Sequence, residues 1–316
     1  FPLLGAAGHG PAGNVSRMRL LTATAAALRT ALRTPRLVLL LWGAHLAIAA
    51  VAFYPALRFL DRTLANAPAG DEFLRRFSLP LFGDVMRSGR AWFEGFGQLL
   101  TLVVVLTLLG NVLSAGGALE SLLSGDPSRL AHRFGRGAGR FFGRFLRMGL
   151  AAAPAALLVA GILAGPIFGV RASLDDTAEG AKFWLGLAGI LVALFAILLV
   201  QLALDLARVR VARDDVRKGV RVFRATLRAV LRRPWQVLAV WVPLALLFVA
   251  VSALYLAFRG LLPPSGGAVI LVIVLAQQLV MLTRAAMRVA LWSGEIALVE
   301  RQWTEYVVLR RAQDPA

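Results

Sequence analysis

The sequence predicts an all-α polytopic membrane protein: six transmembrane helices in three hairpins, each preceded by a basic amphipathic interfacial helix, with both termini cytoplasmic. Three observations predict it. The chain of 316 residues is 59% hydrophobic and only 16% charged, with a mean hydropathy of +0.72, whereas a soluble domain carries about a quarter charged residues. It contains continuous uncharged runs long enough for a bilayer core, which needs about 20 apolar residues. Its cations also alternate. Of 35 Lys and Arg, 26 fall in segments 1–36, 116–148, 205–234 and 284–316, and 9 in segments 58–97, 171–182 and 259–266. Lys and Arg gather on the cytoplasmic side, so the first set is assigned there. A transmembrane barrel would instead show short alternating segments.

Residues 1–17, rich in Gly, Pro and Ala, lack the apolar region of a signal peptide. They read as a disordered leader or upstream residues, with Met18 as the expected start and 18–316 as the six-helix domain. Leu20 to Thr34 forms an Ala/Leu-rich helix with Arg29 and Arg33 on one face, and Pro35 precedes the first span, Leu37 to Leu57. The outer segment 58–97 mixes charges with Phe73, Phe77, Phe82, Trp92 and Phe93, as a connector on the headgroup region does. A lid over a binding site is the other reading of it.

The second span runs from Gln98 to Ser114, and Gly116-Gly117 and Glu120 follow. The middle basic stretch, RLAHRFGRGAGRFFGRFLRM, carries three stripes. Arg129, Arg133, Arg136, Arg140, Arg144 and Arg147 form the first, Phe134, Phe141 and Phe145 the second, and Gly135, Gly139 and Gly143 the third. Glycine costs helix stability, so three in register point to close packing against another helix. The same spacing recurs at Gly161, Gly165 and Gly169 in the third span, where small residues four apart let helices approach. The loop DDTAEG leads to the fourth span, Phe183 to Leu204, and the connector DLARVRVARDDVRKG follows. Asp205 with Arg208, and Asp214 or Asp215 with Arg217 or Lys218, read as ordinary surface pairs.

The third basic stretch organises the rest. Arg221, Arg224, Arg228 and Arg232 recur at three and four residues and share one helix face beside Val220, Phe223, Leu227 and Val230. Pro234 then opens an uncharged run from Trp235 to Phe258, and proline is tolerated at a helix start. Leu28, Arg29, Leu32, Arg33, Pro35 and Trp42 match Leu227, Arg228, Leu231, Arg232, Pro234 and Trp241 at one offset of 199 residues. Such coincidence reads as an internal repeat, and a general preference for Leu and Arg in such helices is the other source of the match. The sixth span begins near Gly267 and continues through Arg284 and Arg288 towards Glu300, so its last turns are expected along the cytoplasmic surface.

Catalytic signatures are missing. There is no phosphate loop, no G-x-S-x-G elbow and no metal-ligand spacing among His9, His45 and His132, and the chain has no cysteine. No enzyme activity, cofactor or metal is expected. The net charge of +18 follows from topology, so no nucleic-acid partner is inferred. Polar residues inside spans are costly and often functional. His45 and the pair Gln277 and Gln278 are placed at similar depth, where a shared contact is geometrically allowed, while Asn111 and Gln201 sit nearer the inner face.

The elbow LRAVLRRPWQVL, the connector DLARVRVARDD and the stretch SAGGALESLL with RFGRGAGRFFGRFLRM resemble a group of uncharacterised bacterial six-span inner-membrane proteins. More loosely, the chain is similar to the membrane domain that accompanies some glycerophosphoryl diester phosphodiesterases. Catalysis there belongs to a separate soluble barrel, which these 316 residues do not include, so no catalytic residue carries over. The resemblance implies a multi-pass module of the bacterial inner membrane. The function expected is non-enzymatic: organising anionic lipid or partner proteins. Arg129, Arg133, Arg136, Arg140, Arg144, Arg221, Arg224, Arg228 and Arg232 would meet the headgroups while Phe223 and Leu227 enter the acyl boundary. The alternatives are a small-solute or lipid transporter with a site near His45 and Gln277, and a subunit of a homo-oligomer or larger complex packing through its glycine faces.

Overall fold

Residues 24–64, 90–125, 129–174, 179–262 and 267–313 are described by a computed structural model, and all their regular structure is helical. The expected leader 1–17 and most of the outer segment 58–97 lie outside the described residues. The helices are α1 (24–33), α2 (Pro35–Leu64), α3 (Arg90–Ser124), α4 (Leu130–Ala172), α5 (Glu179–Asp214), α6 (Gly219–Arg232), α7 (Pro234–Leu261) and α8 (Gly267–Gln313). Six of them, α2, α3, α4, α5, α7 and α8, are long and apolar enough to cross a membrane.

Local chemistry sets the boundaries. α1 ends just before Thr34, and α2 begins at Pro35. In the same way α6 ends at Arg232, Arg233 is non-helical, and Pro234 opens α7. Both breaks fall where proline has no N–H for the preceding turn and disfavours a helical residue before it. The two junctions related by the 199-residue offset thus share their local structure. The middle stretch differs from the expected separate interfacial helix, because α4 runs unbroken from Leu130 to Ala172. Its junction, Met148-Gly149-Leu150, contains no proline to interrupt the hydrogen-bond ladder. Pro154 and Pro166 lie further along and are accommodated inside the helix.

Several helices exceed a bilayer. At about 1.5 Å per residue, the 43 residues of α4 span roughly 65 Å and the 36 of α5 roughly 54 Å, against a hydrocarbon core of about 30 Å. The surplus lies at one end, and the core lies there too. Leu119 of α3, Phe141, Phe145 and Met148 of α4, Val200, Leu202, Leu206, Val209 and Val211 of α5, Phe223 of α6 and Val289 and Trp292 of α8 are buried together. The far halves present Phe53, Leu157, Leu158, Ile162, Trp184, Leu254 and Leu271 outward. Exposed apolar surface of that extent needs a lipid solvent.

α4 packs on α5 and α3, α6 on α5 and α4, and α8 on α7, α2 and α5. The contact between α3 and α4 joins what the sequence divides into two hairpins. Between Ala285 and Val299, α8 does not lie exposed along a surface, as its charges led one to expect. Val289, Ala290, Leu291, Trp292 and Val299 are buried, and a Cβ on Gly294 would come 2.6 Å from Val240 Cγ1 of α7 and 3.6 Å from Ala27 Cβ of α1. A spacing of buried residues at 285, 289, 292 and 299 is one helical stripe, which docks into the core.

The glycine stripes behave unlike the expectation. Nothing lies within 4 Å of a Cβ built on Gly135, Gly139, Gly143, Gly161, Gly165 or Gly169. The close approach uses Gly137 instead, where a Cβ would clash with Glu120 Cβ and sit 2.6 Å from the Gly116 carbonyl oxygen. Gly116 faces it in return, where a Cβ would lie 2.8 Å from the Gly137 oxygen, and a Cβ on Gly117 would lie 2.7 Å from the Phe134 ring. Two residues advance about 200° around a helix, so Gly137 looks almost opposite to Gly135 and Gly139.

Candidate functional site

The polar residues picked out in the spans are not gathered into one site. His45 is exposed, and its Nδ1–H donates 2.7 Å to the Leu41 carbonyl of its own helix. Gln277, Asn111 and Gln201 are also exposed. The first and sixth spans do share a polar contact, displaced from the expected pair: Trp42 Nε1 donates to Gln278 Oε1 at 3.2 Å. Trp42 and Gln278 are half-buried between α2 and α8, while His45 and Gln277 point outward.

A cluster the sequence did not reveal lies deeper, between α5 and α8. Asp205, 0% exposed, accepts from Arg208 Nη1 at 3.0 Å and from Arg288 Nη2 at 3.0 Å. Arg288 Nη1 also stands 2.9 Å from the second carboxylate oxygen, an ion contact without hydrogen-bond alignment. The pair expected at the surface is therefore buried, with Arg208 4% exposed. Glu295, one turn from Trp292 on α8, is 1% exposed, and neither of its oxygens nor the Trp292 indole N–H has a hydrogen-bond partner among the described residues. Aromatic rings cover the cations: Arg288 lies 4.9 Å from the Trp292 centroid and Arg208 5.8 Å from that of Phe145. Each guanidinium here has either a carboxylate or a ring face, the condition under which buried charge is tolerated. The signal available in the sequence was the spacing of Arg288, Trp292 and Glu295 on one face of α8, inside an apolar run.

The basic stripes divide into two kinds. On α4, Arg136 Nη2 donates 3.0 Å to Glu120, and Arg140 contacts Glu120 at 3.6 Å and Asp215 at 2.8 Å. Arg144 donates to the same Asp215. Asp215 adopts a left-handed backbone, φ 47°, immediately after α5 ends. Aspartate visits that region more readily than most residues, and the turn carries its carboxylate back to α4. Hydrogen bonds from Arg144, then Arg140, hold that carboxyl below its ordinary range. Arg140 and Arg144 also lie 5.2 and 5.7 Å from the ring centroid of Phe141, which stacks on Phe145 at 5.4 Å. Arg133 donates 3.0 Å to the Ser124 hydroxyl, and Arg129 stands exposed at the start of α4.

On α6 the four arginines are unencumbered. Arg221, Arg224, Arg228 and Arg232 are all exposed and make no ion pair among the described residues. Its opposite face buries Phe223, Thr226 and Val230 against the protein. Burying a phenylalanine contributes about 1.5–3 kcal/mol. Phe223 therefore anchors α6 to the core and does not reach an acyl boundary, in contrast to the expectation, because α5 and α4 occupy that side. Leu231, 41% exposed, and Trp235, 77% exposed, are the apolar side chains left outward where α6 meets α7.

Among the described residues no three His, Asp or Glu come together as a metal site. The fold and site thus define a multi-pass helical membrane protein with a cationic face on its packed end. No family model matches the chain, and neither does any curated protein or solved structure.

Proposed function

We propose that this chain is a non-enzymatic protein of the bacterial inner membrane, akin to the six-span proteins it resembles, which gathers anionic lipid at its cytoplasmic face. In this reading the packed end and both termini are cytoplasmic, and α6 is an interfacial helix. One observation carries it: α6 is clamped to the protein by its apolar face while four unpaired arginines face out. An isolated amphipathic helix would sink its apolar face into lipid. Here the protein takes that role and leaves the cations to the headgroups, each contributing about 1 kcal/mol near an anionic surface. Arg136, Arg140 and Arg144 of α4 are secondary in this scheme, since Glu120 and Asp215 already pair with them.

Replacing Arg221, Arg224, Arg228 and Arg232 together with Gln tests the reading. The variant is expected to co-purify with less anionic lipid, at unchanged melting temperature, because no ion pair or buried contact is removed. An unchanged lipid complement, measured by mass spectrometry of the extract, would remove the main support for lipid gathering. Orientation is checked separately. A periplasm-active reporter placed between residues 174 and 179 is expected to be active, and one fused after Ala316 silent; the reverse pattern would invert the topology.

A further inference from the structure

The N-terminal end of α6 is not merely a basic surface. A cavity of about 280 Å³ opens where it meets α4, lined by Arg144 and Arg147 of α4 and by Arg217, Lys218, Gly219 and Arg221 at the start of α6. Two separate segments thus place five cationic residues around one concavity, Arg144 among them already paired with Asp215, and no carboxylate lines it. The nearest acid, Asp215, turns its oxygens to Arg140 and Arg144. Arg147, Arg217, Lys218 and Arg221 keep no ion-pair partner among the described residues.

The concavity is built into the packing. A Cβ on Gly219 would meet Met148 Sδ at 2.8 Å and the Arg144 carbonyl at 3.7 Å, so the first residue of α6 is pressed onto α4. That contact is why Arg144 and Arg147 flank the same space as Lys218 and Arg221. The first backbone N–H to bond back is that of Arg221, to the Lys218 carbonyl at 3.1 Å, and no side chain caps the helix. The amides before it lack an intrahelical acceptor and sit at the positive end of the helix dipole, which adds to the field of the cations.

We infer that this cavity binds a phosphate monoester. Such a group carries close to two negative charges at neutral pH and three acceptor oxygens, which donors arriving from two helices can share. A phosphodiester has one charge and offers fewer free oxygens. The source is either a lipid whose headgroup is a bare phosphate or a free phosphate, and Leu150, 67% exposed on the next turn of α4, favours a lipid, since an acyl chain has an apolar surface to follow from the cavity. The inference deepens the proposed function and rests on it only in setting the packed end at an anionic leaflet.

The test uses the full chain in nanodiscs of phosphatidylcholine doped with equal mole fractions of phosphatidic acid or phosphatidylglycerol, with native mass spectrometry of bound lipid. Two variants lose the same charge: Arg147→Gln/Lys218→Gln/Arg221→Gln at the cavity, and Arg224→Gln/Arg228→Gln/Arg232→Gln on the outer face. The parent is expected to prefer phosphatidic acid, and the cavity variant to lose that preference by roughly tenfold or more, the scale of a few charged hydrogen bonds. The outer-face variant is expected to keep it while retaining less anionic lipid of both kinds. Inorganic phosphate that displaces phosphatidic acid at millimolar concentration identifies the free anion as the ligand; failure to displace identifies the lipid. Equal binding of the two lipids by the parent without a saturable response to phosphate, or an equal loss of preference in both variants, overturns the cavity as a site. Unchanged total anionic lipid in the outer-face variant counts against the proposed function alone.

Discussion

Replacing Asp205 with Ala is expected to cost about 3–5 kcal/mol, the range for removing one partner of a buried ion pair. The reason is the geometry of the clamp. Asp205 takes hydrogen bonds from both Arg208 and Arg288, and without it two guanidiniums face each other in a space where Arg208 is 4% exposed. Arg208 cannot turn to water without unpacking α5 from its neighbours and carries most of the penalty, since the Arg288 side chain is 31% exposed. Thermal unfolding of the purified protein should therefore begin at a markedly lower temperature. A companion variant, Asp205→Ala with Arg208→Met and Arg288→Met, removes the stranded charges and should recover much of the loss, because apolar replacement of a whole buried ion cluster is often neutral. If the single variant melts with the parent, the cluster does not bear on stability and its burial is misassigned.

The second large effect separates two glycines two residues apart. Gly137→Ala places a methyl against Glu120 Cβ and 2.6 Å from the Gly116 carbonyl oxygen. A backbone oxygen yields only if α3 and α4 move apart, so a loss of about 1–3 kcal/mol is expected, as for other overpacked contacts. Gly139→Ala meets nothing within 4 Å. It should be neutral or stabilising by up to about 1 kcal/mol, the difference in helix propensity. Opposite shifts in melting temperature confirm the face assignment. Shifts of the same sign would show that α3 and α4 meet on a different side.

These two variants mark where sequence reading stops. The six apolar runs and the breaks before Pro35 and Pro234 were legible, because hydropathy and proline act through local chemistry. Which face of each helix packs was not. In lipid both faces of a span are apolar, so periodicity no longer distinguishes core from surround, and the regular Gly135, Gly139, Gly143 register drew attention from Gly137. His45 stood out because histidine is rare in a span, yet rarity does not fix orientation. Of the candidate site, the α6 arginine face was legible from its spacing. The cluster was not, since Asp205 meets Arg288 across 83 residues of chain. Nor was the cavity: it exists only because Gly219 brings two basic segments together against Met148.

The same separation gives the ribosome a part in the structure. Asp205 leaves the exit tunnel 83 residues before Arg288, which at about 5–20 residues per second is an interval of roughly 4–17 seconds. Throughout it α5 has been made, while the helix that completes its charge balance has not. Arg208, three residues on, is the counter-ion that arrives with Asp205 on the same helix. The nascent fourth span thus brings its own chaperone for a carboxylate, and Arg288 converts a provisional pairing into a permanent one when the final helix docks.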